Sequence, residues 1–222
     1  MISTLIFDLD GLLADTEKLH RRAYQEVFVE KGFRLDDKSY DDHWIRDGKG
    51  IVEYVAAKRL NLDPNDIRPR KAARYDVLVR SSVEPMPGAV AALQSLGQQK
   101  RLTLATSSCR DAAYVVLETL GIQAFFEHIA TKESAARVKP FPDVFLAVAG
   151  AVGISPKECL VVEDSQKGVF AAIAAGMPCI AVPNAQTKGN DFTKAAKVLC
   201  SLEELTLEVI EECGRQPTRF TE

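Results

Sequence analysis

Hydrophobic positions along the chain follow two rhythms. Thr4-Leu5-Ile6-Phe7 is a short apolar run that stops abruptly at Asp8-Leu9-Asp10-Gly11, the pattern of a buried strand ending in a polar turn. From Asp15-Thr16 a helical spacing takes over. Thr16 stands at the N-cap position, Leu19, Ala23 and Val27 recur every four residues, and the helix is expected to end near Gly32. Residues 33–84 contain no convincing strand. They read as helices, with Ile51, Val55 and Leu60 roughly on one face and a further helix over residues 68–79 after the turn signal Asp63-Pro64-Asn65. Pro85-Met86-Pro87-Gly88 marks a boundary, because two prolines flanking one residue stiffen the chain.

Beyond this boundary strands and helices alternate. Strands are expected at residues 102–106, 128–130, 160–163, 179–182 and, briefly, 198–199. Helices are expected through Val115-Val116-Leu117 to Gly121, from Asp143 to about Val152, up to Gly176, and from Ser201 onward. Strands apolar on both faces, each followed by a helix, specify a parallel sheet covered by helices on both sides. The predicted fold class is therefore α/β: a Rossmann-like parallel sheet with an inserted helical bundle. Residues 1–14 and 86–222 form the discontinuous sheet domain and 15–85 the insertion. The chain shows no internal repeat, and its polar tail, 217–222, is expected to be disordered.

Composition narrows the function classes. At 222 residues, with 46% hydrophobic and 27% charged positions, the chain has globular composition. At this size folding hides roughly 70% of the unfolded surface, so no disulfide or metal staple is required. A net charge of −3 gives no global positive field to hold nucleic acid. The longest nearly apolar run, 169–183, is broken by Gly176 and Pro178 and is too short to span a bilayer. Acids precede the first positive side chain, Lys18, the wrong order for a secretory signal. Five cysteines without CxxC spacing point to reduced thiols, read as small buried hydrophobes. A cytoplasmic monomer or weak dimer that engages neither nucleic acid nor membrane is the expectation.

In an open parallel sheet, ligands bind beyond the carboxyl ends of the strands. The first strand delivers Asp8 and Asp10 there, the second Thr106 and Ser107, and the strand at 160–163 Glu163 and Asp164; Lys139, before Pro140, lies in the loop after 128–130. Carboxylates from separate strands repel one another. The natural remedy is a hard dication with oxygen ligands, most often Mg²⁺. Cation, lysine and hydroxyls together suit a phosphate dianion, which acids alone would expel.

Phe7-Asp8-Leu9-Asp10-Gly11 followed by Asp15-Thr16, then Ala105-Thr106-Ser107, Lys139-Pro140 and Val162-Glu163-Asp164-Ser165, resembles the four ordered motifs of the haloacid dehalogenase-like superfamily. The resemblance is strongest to its phosphoglycolate phosphatase-like and beta-phosphoglucomutase-like branch, whose members carry a helical cap after the first motif. An isolated DxD is weak evidence; four motifs in order over nearly the whole chain are strong. The resemblance implies that Asp8 is a nucleophile that takes the phosphoryl group and Asp10 the acid and base. It implies that Thr106, Ser107 and Lys139 bind the phosphoryl oxygens. It implies that Asp8, the Asp10 carbonyl and Asp164 hold Mg²⁺, with Glu163 as ligand or support. In the insertion, His20 and Lys71 match cap positions that implicate them in substrate binding, set against a surface histidine and a solvated basic face formed with Arg68, Arg70 and Arg74. Trp44 and Phe33 read as core of the insertion.

One stretch departs from the mutase-like pattern. Where that branch carries a glycine and, three residues later, an arginine that grips a second phosphate, this chain has Arg46 and Lys49. Lysine keeps the charge but loses the planar two-pronged grip. The resemblance therefore favours a Mg²⁺-dependent phosphatase of a small phosphorylated metabolite such as a sugar phosphate. A hexose phosphomutase is the second reading, and a non-catalytic binding protein on the same fold the third.

Overall fold

The computed structural model describes residues 1–215; the expectation for 217–222 lies outside them. Among the described residues six strands form one parallel sheet: β1 (Thr4–Phe7), β2 (Arg101–Ala105), β3 (His128–Ala130), β4 (Cys159–Glu163), β5 (Cys179–Ala181) and β6 (Lys197–Val198), in the order β3-β2-β1-β4-β5-β6. Every position of β1 and β4 is buried, which is why their sequences show an apolar run and no alternation. β1 lies centrally, with Phe7 in register with Leu104 of β2 on one side and Val162 of β4 on the other. The order reverses between β1 and β4, so their carboxyl ends flank the crevice such sheets use for ligands.

The chain divides into two compact units, one of Met1–Asp15 with the residues from Glu84 onward, the other Thr16–Val83. The expected division at 14/15 and 85/86 is off by one residue at the first crossing and two at the second. The reason is local pairing: the Asp15 N–H donates to the Glu84 carbonyl at 2.9 Å, and Ala14 bridges Pro85.

The inserted unit is helical: α1 (Glu17–Glu30), α2 (Asp37–Tyr40) running into a π-helical stretch at Asp41–Arg46, α3 (Ile51–Lys58) and α4 (Pro64–Ser82). It has its own core of Val27, Phe28, Leu35, Tyr40, Ile51, Tyr54, Val55 and Ile67, with Phe33, Trp44 and Leu60 packed against it. Two details correct the sequence reading. The Thr16 side chain does not cap α1, because its backbone is already helical (φ −93°, ψ −22°), and the cap geometry requires an extended residue. α4 starts at Pro64, ahead of the expected residue 68, because Asp63 caps it by accepting the Asn65 N–H at 2.9 Å and Pro64 occupies the first turn, where no N–H is needed.

In the sheet unit the helices are α5 (Ala89–Leu96), α6 (Arg110–Thr119), α7 (Asp143–Val152), α8 (Gln166–Ala174) and α9 (Leu207–Arg215). α5 is absent from the sequence expectations because the Pro-Met-Pro-Gly signal before it marks a boundary and also, through Gly88, the helix start. The last helix starts at Leu207. Ser201 instead caps a 3₁₀ turn at Leu202–Glu204, accepting the Glu203 N–H at 3.0 Å. Phe145, Val148, Val161, Val169, Ala172 and Met177 form the core between β4, α7 and α8. All five cysteines are free. Cys159, Cys179 and Cys213 are buried as expected, whereas Cys109, at the N-cap of α6, and Cys200, in the turn before Leu202, are exposed. Among the described residues no helix is long and apolar enough to cross a membrane.

Candidate active site

The carboxyl ends of β1, β2 and β4 and the loop after β3 bring the expected acids, hydroxyls and lysine into one hydrogen-bonded network. Asp8 follows β1 directly and stays in its ladder, donating its N–H to the Val162 carbonyl at 3.1 Å. It is 7% exposed, and Lys139 is 6% exposed. The Lys139 ammonium donates to Asp8 Oδ1 at 2.5 Å, to Glu163 Oε1 at 2.6 Å and to the Ala105 carbonyl at 2.8 Å. All three of its protons are thus used on β1, β2 and β4 at once.

Glu163 is fully buried, and its second oxygen is occupied as well. Oε2 accepts the Ser165 hydroxyl at 2.9 Å and the N–H groups of Asp164 and Ser165 at 3.2 and 3.3 Å. Ser165 also caps α8, accepting the Gly168 N–H at 3.3 Å. Residue 168 must be glycine, since a Cβ there would lie 1.9 Å from the Glu163 carboxyl carbon. Glu163 is therefore anchored between Lys139 and the start of α8.

Asp8, Glu163 and Asp164 each bring a carboxylate oxygen within 4.8 Å of the others, and all three are buried. Burial pushes the Asp8 carboxyl up to about 7 against the pull of Lys139, with the Glu163 and Asp10 charges adding to the rise. Burial, then the charges of Glu163 and Asp8, drives Asp164 well above the usual carboxylate range. For Lys139, burial alone would favour the neutral amine, but the charges and hydrogen bonds of Asp8 and Glu163 outweigh it and keep the ammonium protonated. One ammonium among three buried carboxylates leaves an excess of negative charge. This all-oxygen donor set, with one ammonium for three buried carboxyl groups, fits a hard dication such as Mg²⁺.

Asp10 has a different environment. Its Oδ2 accepts the Ser108 hydroxyl at 2.6 Å and the Thr106 hydroxyl at 3.2 Å, while Thr106 Oγ1 accepts the Ser108 N–H at 3.0 Å. The Asp10 carboxylate is not one of the three grouped acids, though its charge reaches Asp8, and it is hydrogen-bonded to the loop after β2. The Ser107 hydroxyl is shielded from solvent and makes no hydrogen bond among the described residues.

Two participants escaped the sequence reading. Ser108 lies one residue beyond the pair inspected after β2. Asn184 follows β5, a strand that ends in no acid; its amide donates to Asp164 Oδ2 at 2.8 Å and to the Gly11 carbonyl at 3.0 Å. The signal for both was the strand-end rule itself, applied to too few residues and too few strands.

His20 and Lys71 meet within the helical unit. Lys71 Nζ lies 2.5 Å from His20 Nδ1 and 4.6 Å from the centre of the Tyr75 ring, on which His20 stacks at 4.0 Å. Neither is a freely solvated side chain. Arg70 and Arg74 do lie on a solvated face, paired with Asp66 and with Glu26 and Glu30. In the stretch that departs from the mutase-like pattern, Arg46 pairs with Asp42 at 2.6 Å and Lys49 with Asp47 at 3.1 Å, both on the surface.

Comparison with known proteins agrees with this geometry. A family model described as haloacid dehalogenase-like hydrolase matches residues 5–182. Protein CbbY of Rhodobacter capsulatus is 32% identical over 206 residues, covering 87% of this chain and 91% of its own length. Fructose-1-phosphate phosphatase YqaB of Escherichia coli is 33% identical over 183 residues, covering 80% and 95%. The crystal structure of CbbY from Rhodobacter sphaeroides in complex with phosphate superposes with a TM-score of 0.82 at 29% identity, covering 92% of this chain and 96% of the other.

Two outcomes follow from the buried charges. Lys139→Met, which keeps the bulk and removes the ammonium, leaves Asp8 and Glu163 without their cation and lowers stability by about 3–5 kcal/mol in urea denaturation at neutral pH with chelator present. The loss shrinks at pH 5, where Asp8 holds its proton. The second outcome concerns pH. Asp8 titrates near 7 in the folded protein and near 4 when unfolded, so its stabilising proton is fully held below about pH 4 and is lost as pH rises through about 7. With chelator, the melting temperature therefore falls between pH 5 and 8. The gain on adding MgCl₂ grows over the same range, because the cation competes with that proton. A Mg²⁺ effect that is flat or declining with pH would contradict the charge assignment.

Proposed function

This chain belongs to the haloacid dehalogenase-like hydrolases, and from that premise we propose that it is a Mg²⁺-dependent phosphatase that hydrolyses a small phosphorylated sugar through a phosphoryl-aspartate on Asp8. The observation that carries the proposal is the Asp8 carboxylate, placed at the end of the central strand and held at 2.5 Å by Lys139 beside two further buried acids. The sugar-phosphate class is supported by the fructose-1-phosphate phosphatase relative.

Asp8 and Asp164, with the Asp10 backbone carbonyl, would hold Mg²⁺, and Glu163 would support them. When bound, the cation supplies the positive charge that lets an anionic nucleophile approach an anionic ester. An Asp8 oxygen forms a bond to phosphorus as the bond to the ester oxygen breaks, and the Asp10 carboxyl gives its proton to that leaving oxygen. Water then attacks the phosphorus, Asp10 takes a proton from it, and the bond to Asp8 breaks with release of inorganic phosphate. Thr106 and Ser108 fix the rotation of the Asp10 carboxyl, which must act first as acid and then as base. Lys139 offsets charge on the phosphoryl oxygens as it does on Asp8. The shielded Ser107 hydroxyl, which lacks a protein partner among the described residues, would find one in a phosphoryl oxygen.

We assign His20 and Lys71 to recognition of the rest of the substrate, and the enzyme to the cytoplasm as a monomer or weak dimer. Free thiols throughout support that compartment. Hydrolysis is favoured over mutase chemistry by Lys49, a single-point cation already paired with Asp47.

A screen of phosphorylated metabolites, with and without chelator, tests the proposal. Phosphate release from at least one sugar phosphate is expected, abolished by chelator and restored by Mg²⁺. Asp8→Asn should lower kcat by roughly 10⁴-fold or more while leaving the fold intact. Isomerised product with no net phosphate, and a requirement for a bisphosphate, would establish the mutase instead. No turnover on any ester with Mg²⁺ present would point to a binding protein.

A further inference from the structure

Asn184 uses its whole side chain in the space between two segments of the site. Its Nδ2 group donates one proton to Asp164 Oδ2 at 2.8 Å and the other to the Gly11 carbonyl at 3.0 Å. Its Oδ1 accepts the N–H groups of Gln186 and Thr187 at 2.8 and 3.1 Å, and its own N–H donates to Thr187 Oγ1 at 3.0 Å. A primary amide has no further protons to give, and a turn that grips its oxygen removes its rotational freedom.

The chain makes room for this contact. Gly11 has φ +81°, and a Cβ on it would lie 2.6 Å from both Asn184 Nδ2 and Asp164 Oδ2. The amide therefore ties the loop that carries Asp8 and Asp10 to the acid that follows β4. Asp8 and Asp164 repel each other and need a fixed separation to share one ion. Among the described residues Lys139 holds Asp8, and Asn184 supplies the corresponding hold on Asp164.

We infer that Asn184 is a positioning residue for the divalent cation, setting its affinity by fixing the rotation of the Asp164 carboxylate and the approach of the first-motif loop. The inference rests on the reading that Asp8 and Asp164 hold that ion. Such outer contacts are worth about 10–100-fold in metal affinity elsewhere.

Isothermal titration of the intact protein with MgCl₂ tests it, using wild type, Asn184→Ala, Asn184→Ser and Thr187→Val. Both Asn184 variants should bind Mg²⁺ about 10–100-fold more weakly. Their activity should recover towards the wild-type kcat at saturating Mg²⁺, with the loss appearing in the Mg²⁺ half-saturation. The serine variant keeps a short acceptor for the turn N–H groups and serves if the alanine variant fails to fold. Thr187→Val removes only the acceptor of the Asn184 backbone N–H, keeps both N–H groups that hold Asn184 Oδ1, and should retain Mg²⁺ affinity. Unchanged affinity in both Asn184 variants, or an equal loss in Thr187→Val, would overturn the inference while leaving the proposed reaction in place. A wild-type protein that takes up no Mg²⁺ would remove the metal reading itself, and the inference with it.

Discussion

The buried ammonium of Lys139 is the constraint around which the sheet unit is organised. It reaches three strands at once, through Asp8, the Ala105 carbonyl and Glu163. Without it, the centre of a parallel sheet would carry acids at its carboxyl edge with nothing to offset them, an arrangement that costs several kcal/mol per charge. With it, the imbalance is reduced but not removed. The residual negative charge, unfavourable for folding alone, is what the proposed Mg²⁺ would offset.

The surrounding fold serves this charge pattern. Central placement of β1 puts Asp8 between β2 and β4 in register, so that hydroxyls arrive from one neighbour and acids from the other. Two glycines allow the approach distances the charges require. Gly168 lets the start of α8 close on the Glu163 carboxylate, and Gly11 lets the Asn184 amide reach Asp164. Glu163 spends both oxygens on protein donors, whereas Asp8 and Asp164 retain capacity for a ligand. Two adjacent acids after one strand thus differ in role because of their partners. Asp10 differs again: one of its oxygens accepts two hydroxyls from the loop after β2, which fixes its rotation.

Much of this was legible in the chain because its strongest signals are local. Apolar runs that end in acids mark strand ends, and strands buried on both faces announce a parallel sheet, so β1 and β3 were located to the residue. The helical insertion was legible from the absence of strand spacing between residues 33 and 84. Long-range consequences of local chemistry were harder to read. Thr16 looks like a cap, but its backbone enters the helix. Ser201 caps a 3₁₀ turn, and the helix it was expected to open starts at Leu207. Asn184 sits 20 residues after its acid partner and 173 after Gly11, in a turn whose sequence advertises only a turn. Ser108 was hidden behind the two residues before it. Lys71 reads either as a substrate-binding position or as one member of a basic face, and its pairing with His20 appears only in the fold.

The most direct test of the account is to trap the phosphoryl group. Acid quenching of the enzyme during turnover, followed by borohydride reduction and mass spectrometry of its peptides, converts a phosphorylated aspartate to homoserine. The account predicts that conversion at position 8, dependent on both substrate and Mg²⁺. Conversion at another carboxylate, or turnover with no modified residue, would contradict it.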